Sequence, residues 1–373
     1  MITPKSETII RELLDLAGIQ INGKNPWDIQ VHDPRFYDRV LYEVRMGLGE
    51  AYMDGWWDCE AIDQFIVHVL QADLGNKIKS SWQMKFNVMT SRLINMQRLS
   101  RAYQVGEQHY DLGNDLYTAM LDQRLNYTCA YWKNAATLDE AQEAKLDLVC
   151  RKIGLKAGMT VLELGCGWGC FAKYAAEKYG ARVLGVTVSK EQVSLGMQLC
   201  QGLPVELRLQ DYRLVDGKYD AVISIGIMEH VGYKNYPTYM KVVDCCLKEG
   251  GIAFLHTIGS NVSVTYADDW MNKYIFPNGM LPSIAQLGKA MEGKFIMEDW
   301  HNFGPDYDKT LLAWHANFEK AWPELSRKYG ERFRRMWRYY LLSCAGGFRS
   351  RRLQLWQIVM TRMGTPQPDC RMN

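Results

Sequence analysis

The chain has no long hydrophobic run and almost no net charge. No apolar stretch approaches the roughly 18 residues that a membrane-spanning helix needs, and the start, MITPKSETII, lacks the apolar core of a secretory signal. The formal charge is only +2. We therefore expect a cytoplasmic protein that has no spanning helix and does not bind nucleic acid.

Metal and disulfide motifs are missing as well. The ten cysteines show no CxxC spacing, and the seven histidines show no HExxH or comparable spacing. In a reducing compartment, scattered cysteines are typical of free thiols that are buried as small apolar groups. We expect neither a disulfide framework nor a catalytic metal.

Acidic residues are absent between Asn76 and Gly106. Basic side chains alternate there with apolar ones, and they are Lys77, Lys79, Lys85, Arg92, Arg98 and Arg101. Such a basic amphipathic segment either lies on an anionic membrane surface or packs one face while water solvates the other. A later basic patch fits a solvated helix face slightly better than a phosphate contact; it consists of Arg332, Arg334, Arg335, Arg338, Arg349, Arg351 and Arg352.

The segment VLELGCGWGC, residues 161–170, combines a buried strand with a glycine turn. Glycines at 165, 167 and 169 let the backbone turn sharply and approach a ligand closely, and an apolar helix over 171–179 follows. A dinucleotide site would have glycine at Cys170 and an acid near Thr187. A GxGxG turn after a strand that carries an acid, Glu163, is instead typical of S-adenosylmethionine-dependent methyltransferases. A purely structural strand-turn-helix is the alternative.

Strands and helices alternate through the middle of the chain. We predict strands at 160–164, 182–187, 205–209, 220–225 and 251–257, and helices at 171–179, 190–200 and 235–247. This alternation predicts an α/β fold, a Rossmann-like class I methyltransferase domain over 102–373 with its site at the carboxyl ends of the strands. A smaller helical domain is predicted over 1–101, with helices at 7–17, 34–48 and 61–70. The aromatic-rich region beyond residue 260 is expected to end as helix.

Polar side chains follow two of these strands. Glu229 and His230 come just after the fourth, and His256 lies within the apolar run of the fifth. A charged pair after a strand either caps the next helix or takes part in chemistry. An isolated histidine in such a run is more often a hydrogen-bonded core residue than a catalytic one, although its position at a strand end favours function.

Ten segments in order, among them NYTCAYW, LELGCGWG, GIMEHVG, KYIFPNG and EDWHNFGPDYDKTLLAW, resemble the bacterial cyclopropane-fatty-acyl-phospholipid synthases of the mycolic acid cyclopropane synthase superfamily. The resemblance covers nearly the whole chain. It implies transfer of a methylene group from S-adenosylmethionine to the cis double bond of unsaturated acyl chains in membrane phospholipids. It also implies a carbocation intermediate that a bound bicarbonate deprotonates.

The resemblance assigns roles to individual residues. The cofactor positions that it implies are Tyr127, Thr128, Glu163, Gly165, Cys166, Gly167, Gly169, Thr187, Gln192, Asp211 and Tyr212. The bicarbonate positions are Cys129, Glu229, His256, Ile258 through its backbone, and Tyr307. Glu229, His256, Tyr307 and Cys129 are the catalytic candidates; Cys344 also matches a family cysteine, although SCAGGF suits close helix packing equally well.

Two positions depart from the family pattern: Thr128 stands where serine is common, and Cys170 where glycine is common. Cys170 would crowd the backbone if its φ were positive. The expected partners are an anionic bilayer surface, met by peripheral association at the inner face of the membrane, and a second copy of the chain in a homodimer. Two alternatives remain: a methyltransferase of an amine, sterol-like or soluble acceptor, and a catalytically silent lipid-binding protein.

Overall fold

The computed structural model describes residues 4–74, 113–266 and 268–372. The predicted domain boundary at residues 101 and 102 and the basic segment 77–101 lie outside these described residues. Within them, no helix combines the length and the apolar character needed to cross a bilayer.

The first described range is mainly helical, as predicted. Its elements are α1 (Pro4–Asp15), β1 (Ile29–Val31), α2 (Arg35–Met53), β2 (Trp57–Cys59) and α3 (Ile62–Gln71). The three predicted helices are confirmed with small shifts at their ends, and α2 leaves helical geometry at Val44, where φ is +50°. The short antiparallel pair of β1 and β2 was not predicted.

The later described ranges contain the sheet. The elements are α4 (Asn114–Met120), α5 (Leu138–Lys152), β3 (Thr160–Leu164), α6 (Cys170–Tyr179), β4 (Arg182–Thr187), α7 (Lys190–Leu199), β5 (Val205–Leu209), β6 (Tyr219–Ile225), α8 (Met228–Val231), α9 (Tyr236–Cys246), β7 (Leu247–Ser260), α10 (Asp269–Tyr274), α11 (Ile284–Met291), β8 (Ile296–Asn302), α12 (Pro305–Leu325), α13 (Glu331–Arg349) and β9 (Leu353–Thr361).

Seven strands form one sheet in the order β5-β4-β3-β6-β7-β9-β8. Neighbours from β5 to β7 run parallel, whereas β9 lies antiparallel between β7 and β8. The predicted α/β fold is confirmed. The expectation of a helical end is wrong, because β9 follows α13 and is buried along nearly its whole length. An apolar run buried on both faces lacks the polar-apolar alternation that would have marked it as a strand.

The glycine turn after β3 has the backbone that its composition requires. Gly165, Gly167 and Gly169 have φ values of +77°, +55° and +79°, which side chains other than glycine rarely adopt. A Cβ at Gly169 would also lie 2.9 Å from the Leu207 side chain. Cys170 begins α6 with helical backbone, so the predicted crowding at this position does not occur.

The arginine patch of α13 joins this helix to the N-terminal helices and to α12. Arg335 bonds the Asp58 carboxylate at 2.8 Å, and Arg349 lies 2.5 Å from Asp63 and 2.8 Å from Asp308. The helices approach closely, because a Cβ at Gly346 would lie 2.4 Å from the Asp63 carbonyl oxygen. Much of the patch is therefore neither a solvated face nor a phosphate site but a set of ion pairs that connect α13 to β2, α3 and α12.

Candidate active site

A cleft opens at the carboxyl ends of β3, β4 and β6, where a parallel sheet places its ligands. We call it the cofactor cleft. Ten of the eleven predicted cofactor residues line it, and they are Tyr127, Thr128, Glu163, Gly165, Cys166, Gly167, Thr187, Gln192, Asp211 and Tyr212. The eleventh, Gly169, lies behind the turn as the N-cap of α6. The structure thus brings ten of these residues together, while their individual roles stay predictions.

The backbone of the cleft is shaped for close contact with a ligand. A Cβ at Gly167 would meet no atom within 4 Å, so this part of the turn faces open space. Gly226, directly after β6, also lines the cleft with a φ of +77°, and a Cβ there would lie 2.8 Å from the Thr128 methyl group. Gly167 thus leaves backbone open to a ligand, and Gly226 lets Thr128 pack closely against the end of β6.

Polar side chains in the cleft pair with each other where they face the predicted ribose and adenine. The Thr187 hydroxyl donates to Gln192 Oε1 at 2.7 Å. Asp211 accepts from the Arg213 guanidinium at 2.6 and 2.8 Å. Glu163 differs, because its Oε2 is buried without a hydrogen-bond partner in the described part of the chain, and burial raises its pKa to about 8.

Several cleft residues were not predicted as cofactor positions: Trp168, Arg213, Ile227, His230 and Asn278. His230 follows Glu229 directly, and burial lowers its pKa to about 4, so the ring is neutral near pH 7. Trp168 lies between two glycines of the turn, and Asn278 belongs to the KYIFPNG segment. Their positions inside motifs already recognised were the signal that could have found them.

We call the five predicted bicarbonate residues the buried cluster, and their roles stay predictions: Cys129, Glu229, His256, Ile258 and Tyr307. Glu229 lies on α8, and its Oε1 accepts from the Ile258 backbone N–H at 2.6 Å. Its Oε2 is buried and has no hydrogen-bond partner among the described residues. Desolvation raises the pKa of Glu229 to about 7, so this carboxyl group can gain or lose a proton near neutral pH.

His256 is 1% exposed and lies two residues before Ile258 on β7, so the two side chains share a face of the strand. Its Nδ1 lies 3.4 Å from the Gln357 amide nitrogen, which donates to it. Burial holds the pKa of His256 well below its usual value, so the ring is neutral, and with Nδ1 accepting from the Gln357 amide its proton is assigned to Nε2. Nε2 is buried without a partner within the described ranges.

Tyr307 and Cys129 supply neutral donors. Burial raises the pKa of both groups well above their usual values, and Cys129, Glu229 and Cys344 all lie within electrostatic range of the Tyr307 hydroxyl. The Cys129 thiol donates to the Ala130 carbonyl at 3.1 Å. Cys344, on α13, is the most peripheral candidate, and desolvation raises its thiol pKa to about 12.

None of the five cluster residues lines the cofactor cleft, and neither does Cys344. The two compartments are nevertheless continuous along the chain, because Thr128 precedes Cys129, and His230 follows Glu229. Within the described ranges, no group of three or more histidine, cysteine, aspartate or glutamate side chains is arranged to hold a metal ion.

The sheet order and the glycine-lined cleft define a class I methyltransferase fold that uses S-adenosylmethionine. Coclaurine N-methyltransferase, a structure with S-adenosylhomocysteine bound, shares this fold at 22% identity and a TM-score of 0.69, over 84% of this chain and 99% of that one. The family described as mycolic acid cyclopropane synthetase matches residues 97–358, and the chain belongs to this family.

Individual relatives agree with this assignment. The chain is 52% identical to the cyclopropane-fatty-acyl-phospholipid synthase of Escherichia coli (strain K12), over 95% of this chain and 93% of the relative. The structure of mycolic acid cyclopropane synthase CmaA1 with S-adenosylhomocysteine and CTAB matches with a TM-score of 0.64 at 31% identity, over 69% of this chain and 97% of that one. The protein is therefore an enzyme, a methyltransferase that uses S-adenosylmethionine.

Proposed function

We propose that the protein transfers a methylene group from S-adenosylmethionine to the cis double bond of unsaturated acyl chains in membrane phospholipids, forming cyclopropane fatty acids. The observation that carries the proposal is the hydrogen bond from the Ile258 N–H to Glu229 Oε1, which holds a titratable carboxyl group against β7 two residues after the buried, neutral His256. The similarity to the E. coli synthase supports the lipid acceptor.

The chemistry demands a dry site. S-adenosylmethionine, when bound, would supply an electrophilic methyl group and leave as S-adenosylhomocysteine when its sulfur–methyl bond breaks. The alkene would supply the electron pair, and a carbocation would remain on the acyl chain. Loss of one proton from the added methyl group closes the ring. The protein must therefore hold the alkene in line, exclude water that would trap the cation, and accept a proton.

Aromatic rings beside the cluster suit the exclusion of water and the stabilisation of the cation. The Tyr307 ring packs 4.6 Å from Phe348 and 5.9 Å from Trp314, and Trp314 lies 5.2 Å from Tyr127 at the cleft. Trp314 and Phe348 are almost fully buried. Their faces stabilise a nearby cation, and their bulk excludes water.

The proton acceptor that we propose is a bicarbonate ion held by the buried cluster. Bicarbonate has acceptor oxygens and one O–H group, and the cluster offers both complements. The unpartnered Nε2–H of His256 and the Tyr307 hydroxyl are donors, and the unpartnered Oε2 of Glu229 is an acceptor. Bicarbonate would supply a weak base, which suffices because a proton next to a carbocation is strongly acidic. The Ile258 N–H, also expected to bind it, donates to Glu229 in this structure.

We also propose that the enzyme works as a peripheral protein at the inner face of the membrane and as a homodimer. The support for membrane binding is the acid-free segment between Asn76 and Gly106. Reversing the charges of Lys85, Arg92 and Arg98 should weaken binding to anionic vesicles, most visibly at low salt, because screening hides the effect at high salt. Sedimentation of vesicles measures it, and an unchanged vesicle affinity would contradict the membrane role.

One assay tests the reaction itself. The protein is incubated with labelled S-adenosylmethionine and vesicles of unsaturated phospholipid, and the released fatty acids are examined by mass spectrometry. We expect a mass gain of one methylene group together with loss of the double bond, and no labelled acyl chain from saturated vesicles. Label on a headgroup nitrogen, or no transfer at all, would overturn the proposal.

A further inference from the structure

Lys145 is a buried cation that the proposed chemistry leaves without a role. It lies on α5 and is 0% exposed. Burial of an ammonium group costs several kcal/mol unless partners compensate for its lost hydration. The groups that the Lys145 ammonium bonds therefore show what its charge holds in place.

Its partners belong to the segment 126–129, which connects the two compartments. The Lys145 ammonium donates to Asn126 Oδ1 and to the Thr128 hydroxyl, each at 2.9 Å. Gln142, one turn earlier on α5, donates to the Thr128 carbonyl at 2.8 Å. Helix α5 is therefore hydrogen-bonded to this segment on either side of Tyr127.

A second set of hydrogen bonds fixes Asn126, the first residue of this segment. Asp122 accepts from the Asn126 backbone N–H and from its side-chain amide, both at 2.8 Å. Asn126 is thus bonded to a buried carboxylate on one side and to the buried ammonium on the other. Residues 127–129 follow directly, so the position of Tyr127 and Thr128 at the cleft and of Cys129 in the cluster depends on this chain of bonds.

The same charge reaches the floor of the cofactor cleft. Lys145 lies within electrostatic range of Glu163, where its positive charge opposes the effect of burial on the carboxyl pKa. The other titratable groups that face Glu163 are thiols, namely Cys150, Cys166, Cys170 and Cys200. Those that face Lys145 include Asp122, Cys129, Cys170 and His256.

A second lysine on the same helix provides the comparison. Lys152 is 1% exposed and bonds Asp299 at 2.7 Å, which ties α5 to β8. It has no described bond to the segment 126–129 and does not act on the pKa of Glu163, although both lysines lie within electrostatic range of His256. Both lysines are buried and paired, but only Lys145 holds residues of the site.

We propose that Lys145 is a positioning residue for methyl transfer, which holds residues 126–129 against the cofactor cleft and places a positive charge beside the Glu163 side chain that lines it. The inference rests on the proposed S-adenosylmethionine site. Tyr127 and Thr128 line the cleft and Cys129 lies in the cluster, so one buried ammonium group aligns residues of both compartments.

The test compares Lys145→Met, Lys145→Gln and, as the matched control, Lys152→Met in the full-length enzyme. S-adenosylmethionine affinity is measured by calorimetry from about pH 6 to about pH 9, and melting temperature is measured without ligand. Both methionine variants should lose thermal stability, since Lys152→Met leaves the Asp299 carboxylate unpaired and Lys145→Met leaves Asn126 and Thr128 without their buried donor. Only Lys145→Met should bind the cofactor at least about tenfold more weakly; Lys152→Met should stay within about twofold of the parent.

Lys145→Gln separates hydrogen bonding from charge. Its amide can still donate to Asn126 or Thr128, so affinity should recover at high pH. Without the positive neighbour, however, the Glu163 pKa rises further, and the pH dependence of binding should move to higher pH. A merely structural lysine would not move this profile.

The result that would overturn the inference is cofactor affinity within about twofold of the parent for both Lys145 variants at every pH. If Lys145→Met fails to fold, Lys145→Gln decides by the same criterion. Failure of the parent enzyme itself to bind S-adenosylmethionine would overturn the proposed function, and it is distinguishable because it needs no variant.

Discussion

The cofactor cleft and the buried cluster lie next to each other but satisfy their polar groups differently. In the cleft, Thr187 pairs with Gln192 and Asp211 pairs with Arg213, so most of its polar wall is already bonded. In the cluster, Glu229 Oε2 and His256 Nε2 are buried without partners in the described part of the chain. Two cleft residues share this property within the described ranges, Glu163 through its Oε2 and His230 through its Nδ1.

This difference fits two functions, ligand binding and catalysis. Polar side chains that are bonded to each other keep the shape of the cleft, which suits the binding of a preformed ligand. Buried polar atoms without partners are costly, and they cluster where a reaction needs a group to gain or lose a proton. We therefore expect substitutions in the cluster to change turnover and substitutions in the cleft to change cofactor affinity.

The strongest test of this division is Glu229→Gln. The amide keeps the shape of the side chain but neither accepts a proton nor complements a bicarbonate O–H, so turnover should fall about a thousandfold. S-adenosylmethionine affinity should stay within about twofold of the parent, because Glu229 does not line the cleft. Steady-state kinetics and calorimetry measure the two quantities. Glu249→Gln, at an exposed position of β7, is the control; unimpaired turnover in Glu229→Gln would remove this residue from the mechanism.

The same variant should also reveal the stability cost of the carboxylate. The folded pKa of Glu229 is raised to about 7 from an ordinary 4.5, so the folded protein loses stability as pH rises through this window. Glutamine carries no such penalty. Glu229→Gln should therefore equal the parent below about pH 4.5 and exceed its free energy of unfolding by on the order of 2 kcal/mol above about pH 7. Chemical denaturation at both pH values measures this difference, and a constant difference would contradict the raised pKa.

On the cleft side, Asp211→Asn should mainly affect the cofactor. The change removes a carboxylate bonded to Arg213 and leaves that guanidinium without its ion pair. The KM for S-adenosylmethionine should rise about tenfold, while kcat at saturating cofactor changes little. Asp216→Asn, an exposed residue in the same loop, is the control. A fall in kcat with unchanged KM would place Asp211 with the chemistry rather than with binding.

The two compartments also differ in how far the sequence alone could predict them. The cleft can be predicted from the local sequence, in which a strand, a glycine turn and a helix follow one another and Thr187 and Asp211 come after the next strands. Chain-local patterns of this kind specify a strand-end site directly. Lys145 was missed although it lies on the buried face of α5, where a polar residue among apolar ones is a visible signal.

The cluster draws on residues more than a hundred positions apart, such as Cys129 and Tyr307, and no periodicity brings these together. Only the resemblance proposed them as a group. Even so, the unpartnered atoms and the tautomer of His256 depend on Gln357, which lies on the buried strand β9. We expected helix in the region of β9, so the contact between His256 and Gln357 could not be predicted.

Cys344 lies on α13, outside the five residues of the cluster, and its substitution should have the smallest effect on turnover. The thiol lies near Tyr307 only electrostatically, and no step of the proposed reaction needs a second thiol beside Cys129. Cys344→Ala should therefore lower kcat by less than about threefold, whereas Cys129→Ala, which removes a fully buried donor, should lower it about tenfold. Both variants are compared in the vesicle assay with melting temperatures measured in parallel. Equal losses at the two cysteines would extend the cluster onto α13 and make the helix packing around Gly346 part of the catalytic architecture.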